Sequence, residues 1–162
     1  MITIIVAIAE NRAIGIDNNL LYHIPADMKR FRNLTTGNTV LMGRKTFQSL
    51  PKGALPDRRN IVLTRSESAL FPGAETFPSL EAALEACGPD EHVYIIGGAQ
   101  VYRKALPLAD TLEVTLVHDT PLMADSFFPE FEDGTWKIAS RQDFEPDSRC
   151  PWAYSFITYI RH

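Results

Sequence analysis

The sequence predicts an α/β fold: a single domain over residues 1–162, with a central mixed, mostly parallel twisted sheet flanked by helices and a C-terminal antiparallel portion. Two observations carry this. Short β-branched runs alternate with amphipathic helical patterns through the first part of the chain, which puts helices on the faces of a parallel sheet. Strand-like, aromatic segments then follow one another with no helix between them, which adds antiparallel strands at an edge.

Residues 2–8 open the chain as a strand, too short for a helix and rich in β-branched side chains. Residues 10–23 are poorly patterned and contain glycine. A loop of that length in a compact domain suits a lid or a binding loop. Residues 25–34 form a helix, with Pro25 in the first turn, where its missing N–H costs nothing. Strands at 39–42, 60–63 and 93–96 alternate with helices at 45–50, 79–86 and 99–106; Ser79 is a natural N-cap. Residues 112–118, 136–139 and 153–160 then read as strands. The Pro- and Gly-containing stretches 51–56, 72–78 and 129–134 are loops.

Composition excludes several classes. With 162 residues, 45% apolar and 22% charged, the chain can bury a core and is neither disordered nor fibrous. A formal charge of −4 argues against a general nucleic-acid binder. No apolar run approaches the roughly 20 residues of a spanning helix, so no membrane partner is expected. The N-terminus lacks a basic leader, and the expected location is the cytoplasm. Cys87 and Cys150 form no Cys-x-x-Cys; two free thiols is the simpler reading, a single disulfide the other. His23, His92, His118 and His162 make no recognisable metal set or triad, so no metal is expected. Ser49, Ser66 and Ser126 lack a nucleophile-elbow context.

In an open α/β sheet, ligands sit at the carboxyl ends of the parallel strands. There the sequence places Ala9-Glu10-Asn11, then Gly43-Arg44-Lys45-Thr46, then Thr64-Arg65-Ser66, then Gly97-Gly98. Glycines let backbone approach a ligand, and cations with hydroxyls suit phosphate. Each turn alone is an ordinary solvated turn; their common placement points to a phosphorylated ligand. Neither Gly-x-Gly-x-x-Gly nor the P-loop pattern is present. For a nicotinamide dinucleotide, Arg44 and Arg65 favour the 2′-phosphate form.

Asp27 is the odd residue of the first helix. At about 100° per residue it projects between Leu34 and Phe31, inside an apolar arc with Met28, while Lys29, Arg30, Arg32 and Asn33 fall on the other side. An acid in a first turn ordinarily just favours the positive end of the helix dipole. Its angular position pulls the other way, towards a pocket.

Ile14-Gly15, Pro25-Ala26-Asp27 with Phe31, and Met42-Gly43-Arg44-Lys45-Thr46-Phe47 are followed by Leu55-Pro56 and Arg58-Arg59-Asn60. Then come Ile95-Ile96-Gly97-Gly98, Val101-Tyr102, Thr115, and Asp125 with Phe128-Pro129. In this order and spacing, over the whole length, the chain resembles dihydrofolate reductases of the single-chain bacterial type. The resemblance implies reduction of 7,8-dihydrofolate by NADPH, with hydride delivered to C6 and a proton to N5, in a monomer. It implies that Asp27 pairs with the pterin 2-amino and N3 groups, that Thr115 bonds behind it, and that Tyr22 helps hold a proton-relay water. Ile5, Phe31, Leu50, Ile96 and Tyr102 would line the substrate site, and Arg58 would take the glutamate α-carboxylate. Lys45, Thr46, Thr64 and Arg65 would bind NADPH phosphates. Gly97, Gly98, Gln100 and Tyr102 would approach the pyrophosphate and nicotinamide. Ala7, Ile14, Gly15, Gly43, Arg44, Leu63 and Val101 would complete the cofactor site.

Three positions depart from that family's pattern. Tyr22 stands where Trp is usual, Leu20-Leu21 where Met-Pro or Leu-Pro is common, and Ala99 where a third glycine is frequent. The alternatives are the pyrimidine reductase of riboflavin synthesis, which has less use for Asp27, Phe31 and Arg58, and a non-catalytic nucleotide-binding module.

Overall fold

The computed structural model describes every residue except Asn18, with Ser68 described through its backbone alone. In chain order the strands are β1 (Ile2–Ala9), β2 (Ala13–Ile16), β3 (Asn19–Leu20), β4 (Thr39–Gly43), β5 (Arg59–Leu63), β6 (Ala74–Phe77), β7 (Val93–Gly97), β8 (Thr111–Val117), β9 (Ser126–Phe127), β10 (Trp136–Phe144) and β11 (Tyr154–Arg161). The helices are α1 (Pro25–Thr35), α2 (Arg44–Ser49), α3 (Leu80–Glu85) and α4 (Ala99–Ala105).

An eight-stranded sheet runs in the order β10-β11-β8-β1-β7-β4-β5-β6. Every pair from β8 through β6 is parallel, and β11 and β10 are antiparallel to their neighbours. The sequence placed β8 in the antiparallel portion. It instead lies parallel to β1, because α4 lies on the sheet between β7 and β8 and returns the chain to the starting edge.

Alternation along the strands sorts the side chains into two layers. Ile4, Val6, Leu41, Ile95 and Val114 face one way, where Leu80 and Ala83 of α3 and Val101 and Ala105 of α4 cover them. Ile5, Val40, Met42, Val62 and Tyr94 face the other way, towards Phe31 and Leu34 of α1 and Phe47 of α2. Fully burying a side chain such as Leu41 or Ile95 contributes about 1.5–3 kcal/mol. The serine cap of α3 is as expected, with Ser79 Oγ accepting from the Ala82 N–H. Cys87 and Cys150 are free thiols, packed in separate clusters.

Three expectations need correction. Residues 10–23, read as a loop, contain β2 and β3, which join β9 in a small three-stranded sheet. Residues 72–78, also read as a loop, contain β6, an edge strand beside β5. The strand at 136–139 extends to Phe144, although residues 137–143 are exposed on this outer edge.

Candidate active site

The site is built where α1 is tied to β8. Pro25 occupies the first position of α1, fixing where the helix begins and so where Asp27 stands. The Thr115 hydroxyl of β8 donates to Asp27 Oδ1 at 2.5 Å. Ala7 lies beside Thr115 in the β1–β8 register. Burial pushes the Asp27 carboxyl above the ordinary aspartate range, against the opposing pull of the Thr115 bond and the charge of Arg30.

Ile5, Phe31, Leu50 and Ile96 meet in one apolar cluster, with Phe31 one helical turn from Asp27. Tyr102 is buried, and its hydroxyl donates to the Ile5 carbonyl at 2.9 Å, which braces that wall from α4. Burial, then the charge of Asp27, pushes the Tyr102 phenol far upward, so it stays neutral.

Arg58 closes the far end of α1. Its Nε donates to the Pro56 carbonyl at 2.9 Å and its Nη1 to Thr35 Oγ1 at 3.0 Å. Asp27 and Thr35 are eight residues apart on one helix, about 12 Å. A carboxylate and a guanidinium are thus spaced along a helix with Phe31 between them. Burial lowers the Arg58 pKa, the cost of desolvating a cation.

The first helix differs from expectation at two positions. Met28 is exposed rather than part of the apolar face. Arg30, placed with Lys29, Arg32 and Asn33 on the side away from the apolar arc, turns onto the sheet, where it pairs with Glu113 of β8 and stacks 4.8 Å over the Phe156 ring. The spacing could have revealed Arg30: three residues from Asp27 is only about 60° away around the helix.

Tyr22 is buried, with its hydroxyl donating to Asp119 Oδ2 at 2.7 Å and its ring edge-on to Trp152. Burial, then Asp119, pushes its phenol well upward. Asp119 also holds the start of the segment 10–23, accepting from the Glu10 N–H through its carbonyl at 3.0 Å. Within that segment, Asp17 N–H donates to Asp125 Oδ2 at 2.9 Å, and the Gly15 carbonyl accepts from the Asp125 N–H at 3.0 Å. A Cβ on Gly15 would come to 2.8 Å from the Asn19 carbonyl oxygen, so this position of β2, paired with Leu20 of β3, requires glycine. Ile14 packs against the main core.

The other half of the site lies across the ends of β4, β5 and β7, where Gly43 pairs with Leu63 and Met42 with Gly97. A Cβ on Gly43 would meet Val101 Cγ2 at 3.2 Å. At Gly97, φ is +131°, and a Cβ would lie 3.3 Å from Thr46 Oγ1. Gly43 and Gly98 precede α2 and α4 with no side-chain cap on the first-turn N–H groups. Around this cradle Arg44, Lys45, Arg65 and Gln100 are exposed, and Thr64 Oγ1 accepts from the Ser66 N–H at 3.1 Å.

A dihydrofolate reductase family model matches residues 1–161. The chain belongs to the dihydrofolate reductase family. It is 45% identical over 161 residues to the dihydrofolate reductase of Neisseria meningitidis serogroup A, covering 99% of this chain and 98% of that one. It is 40% identical over 159 residues to the Bacillus subtilis dihydrofolate reductase, covering 98% and 94%. Among solved structures it resembles dihydrofolate reductase from Enterococcus faecalis complexed with NADP(H) and RAB-propyl. That match has a TM-score of 0.90 and 32% identity, covering 100% of this chain and 96% of that one.

NADPH is the reductase's cofactor. The residues present fit it: a glycine cradle that a Cβ would narrow, flanked by cations and hydroxyls suited to phosphates. No described helix of the reductase is long and apolar enough to cross a membrane.

Proposed function

We propose that Asp27 anchors the pterin of 7,8-dihydrofolate, and that Arg58 receives its glutamate carboxylate at the other end of α1. The reaction is NADPH-dependent reduction to tetrahydrofolate, with hydride reaching C6 and a proton N5. The observation that carries the residue assignment is the Thr115–Asp27 bond, which ties to the sheet a carboxylate one helical turn from Phe31 and its apolar cluster.

Bound NADPH supplies the hydride. The protein's part is to orient, exclude water and manage one proton. The Asp27 carboxylate accepts from the pterin 2-amino and N3 groups, which fixes the ring in its plane. Its negative charge, poorly screened at this buried position, favours a proton on the ring at N5. Ile5, Phe31, Leu50 and Ile96 hold the ring and keep bulk water away. The Tyr22 hydroxyl donates to Asp119, leaving its lone pairs to accept from the water that carries the proton.

Lys45, Thr46, Thr64 and Arg65 bind the cofactor phosphates, with Arg65 and Arg44 on the 2′-phosphate side. Gly97, Gly98 and Gln100 let its pyrophosphate approach the backbone. The segment 10–23 closes over both ligands through Ile14 and Gly15. The enzyme acts as a monomer, with both half-sites in one chain, and without nucleic acid. Its free thiols support a cytoplasmic location.

The test is NADPH absorbance on mixing with dihydrofolate, with and without an antifolate. Oxidation of NADPH that requires dihydrofolate is expected. NADPH binding with no oxidation when dihydrofolate is added would overturn the reading.

A further inference from the structure

Helix α1 is tied to β8 twice. Thr115 donates to Asp27, and three residues along the helix Arg30 pairs with Glu113, two residues back along the strand. Those steps are about 4.5 Å on a helix and about 6.6 Å on a strand, so both ties fit one helix lying antiparallel to the strand. The Arg30 and Glu113 side chains are only 20% and 14% exposed. Glu113 also accepts from Thr158 of β11 at 2.8 Å. The register sets Thr158 beside Glu113 and Phe156 beside Thr115, so one strand face carries both ties and the ring under Arg30.

A buried ion pair is weak evidence for stability, because an apolar pair of similar volume does as well or better. What needs a reason is an ion pair one helical turn from the Asp27 carboxylate. We propose that Arg30 and Glu113 are a positioning pair for Asp27: they fix how the first turn of α1 sits on β8, and Arg30, restrained by Glu113, favours the anionic carboxylate that holds the pterin. This rests on the reading of Asp27 as the pterin anchor.

The groups around the pair are accounted for. Tyr94 of β7, Tyr102 of α4 and Tyr154 of β11 all have phenols pushed up by burial and stay neutral where a carboxyl titrates. His92 is pulled down by burial; it bonds Thr3 at 2.8 Å and stacks on Tyr94. Asp27 faces this set with burial raising its pKa and Arg30 lowering it.

The experiment is a carbon-13 NMR titration of the Asp27 carboxyl in the full ligand-free chain, assigned with Asp27→Asn. Arg30→Met should move the midpoint up by roughly one pH unit, a tenfold change in the ionisation constant, because Arg30 is the charge that acts directly on Asp27; Glu113→Gln should move it down by roughly a third of a unit, about twofold. Arg30→Lys should restore the midpoint, and His92→Gln should leave it where it was. The KM for dihydrofolate should rise in Arg30→Met more than kcat falls. Shifts of the same sign, or none, would overturn the proposal, because a purely structural role gives no opposite pair. If a single variant loses its fold by circular dichroism, Arg30→Lys is set against the double variant Arg30→Met/Glu113→Gln. The lysine should then keep the parent midpoint and the double variant should raise it; equal midpoints refute the pair. Undiminished dihydrofolate binding in Asp27→Asn refutes the anchor itself. Weakened binding there with unmoved midpoints refutes only the role of Arg30 and Glu113.

Discussion

Thr115 and Asp27, 88 residues apart in sequence, are joined by a 2.5 Å hydrogen bond between β8 and the first turn of α1. The bond fixes one carboxylate oxygen to the sheet. It also offsets part of the burial that raises the carboxyl's pKa.

Thr115→Val keeps the side-chain shape and removes the donor. A hydrogen bond to a charged group is worth about 1.5–3 kcal/mol, so dihydrofolate binding should weaken by roughly ten- to a hundredfold. Isothermal titration in the presence of NADPH measures this. Unchanged affinity would mean that the carboxylate is held by something other than β8.

Asp27 makes a signed prediction about stability. Its pKa is raised in the folded chain, so folding binds its proton more tightly than the unfolded chain does. Below the ordinary aspartate pKa both states are protonated and there is no penalty. Above the raised folded value the native state bears the full cost of a buried charge. Asp27→Asn should therefore raise the Tm at neutral pH, with the gain vanishing as pH falls below the ordinary aspartate range. A gain of equal size at acid pH, or a loss at neutral pH, contradicts this.

Arg65 stands two residues past the end of β5 and is exposed. Arg65→Ala should cut the preference for NADPH over NADH by about tenfold, the loss of one charge-assisted contact. The ratio of kcat/KM for the two cofactors reads it. An unchanged ratio would move the 2′-phosphate contact to another residue.

Arg58 is oriented by the Pro56 carbonyl and by Thr35 at the end of α1. Arg58→Ala should weaken dihydrofolate by roughly tenfold or more and leave dihydrobiopterin, which has no glutamate, nearly unaffected. Equal effects on the two substrates would refute the contact.

Much of this site was legible in the chain because its pieces have local signatures. The strand ends with Gly43-Arg44-Lys45-Thr46 and Gly97-Gly98 announced themselves, as did an aspartate on an apolar arc. What was hidden had no local pattern. Strands β2, β3 and β9 have two to four residues each, and Ala13 pairs with Phe127 far along the chain. The direction of β8 depends on where α4 returns the chain, not on its own residues. Arg30, grouped by angle with Lys29, Arg32 and Asn33, sits at the border of the apolar arc, and its partner Glu113 lies on a strand that no local spacing connects to the helix. The tie of Arg58 to Thr35 likewise joins a turn to a helix end that no spacing rule connects.

The central claim is that the Asp27 carboxylate anchors and activates the pterin. The most direct measurement is single-turnover hydride transfer from NADPH to dihydrofolate at neutral pH, comparing the parent with Asp27→Asn in a folded, NADPH-binding preparation. Loss of the carboxylate should slow the transfer by roughly 10²-fold or more, the usual worth of a positioned acid–base group. Transfer at the parent rate in Asp27→Asn would contradict the account.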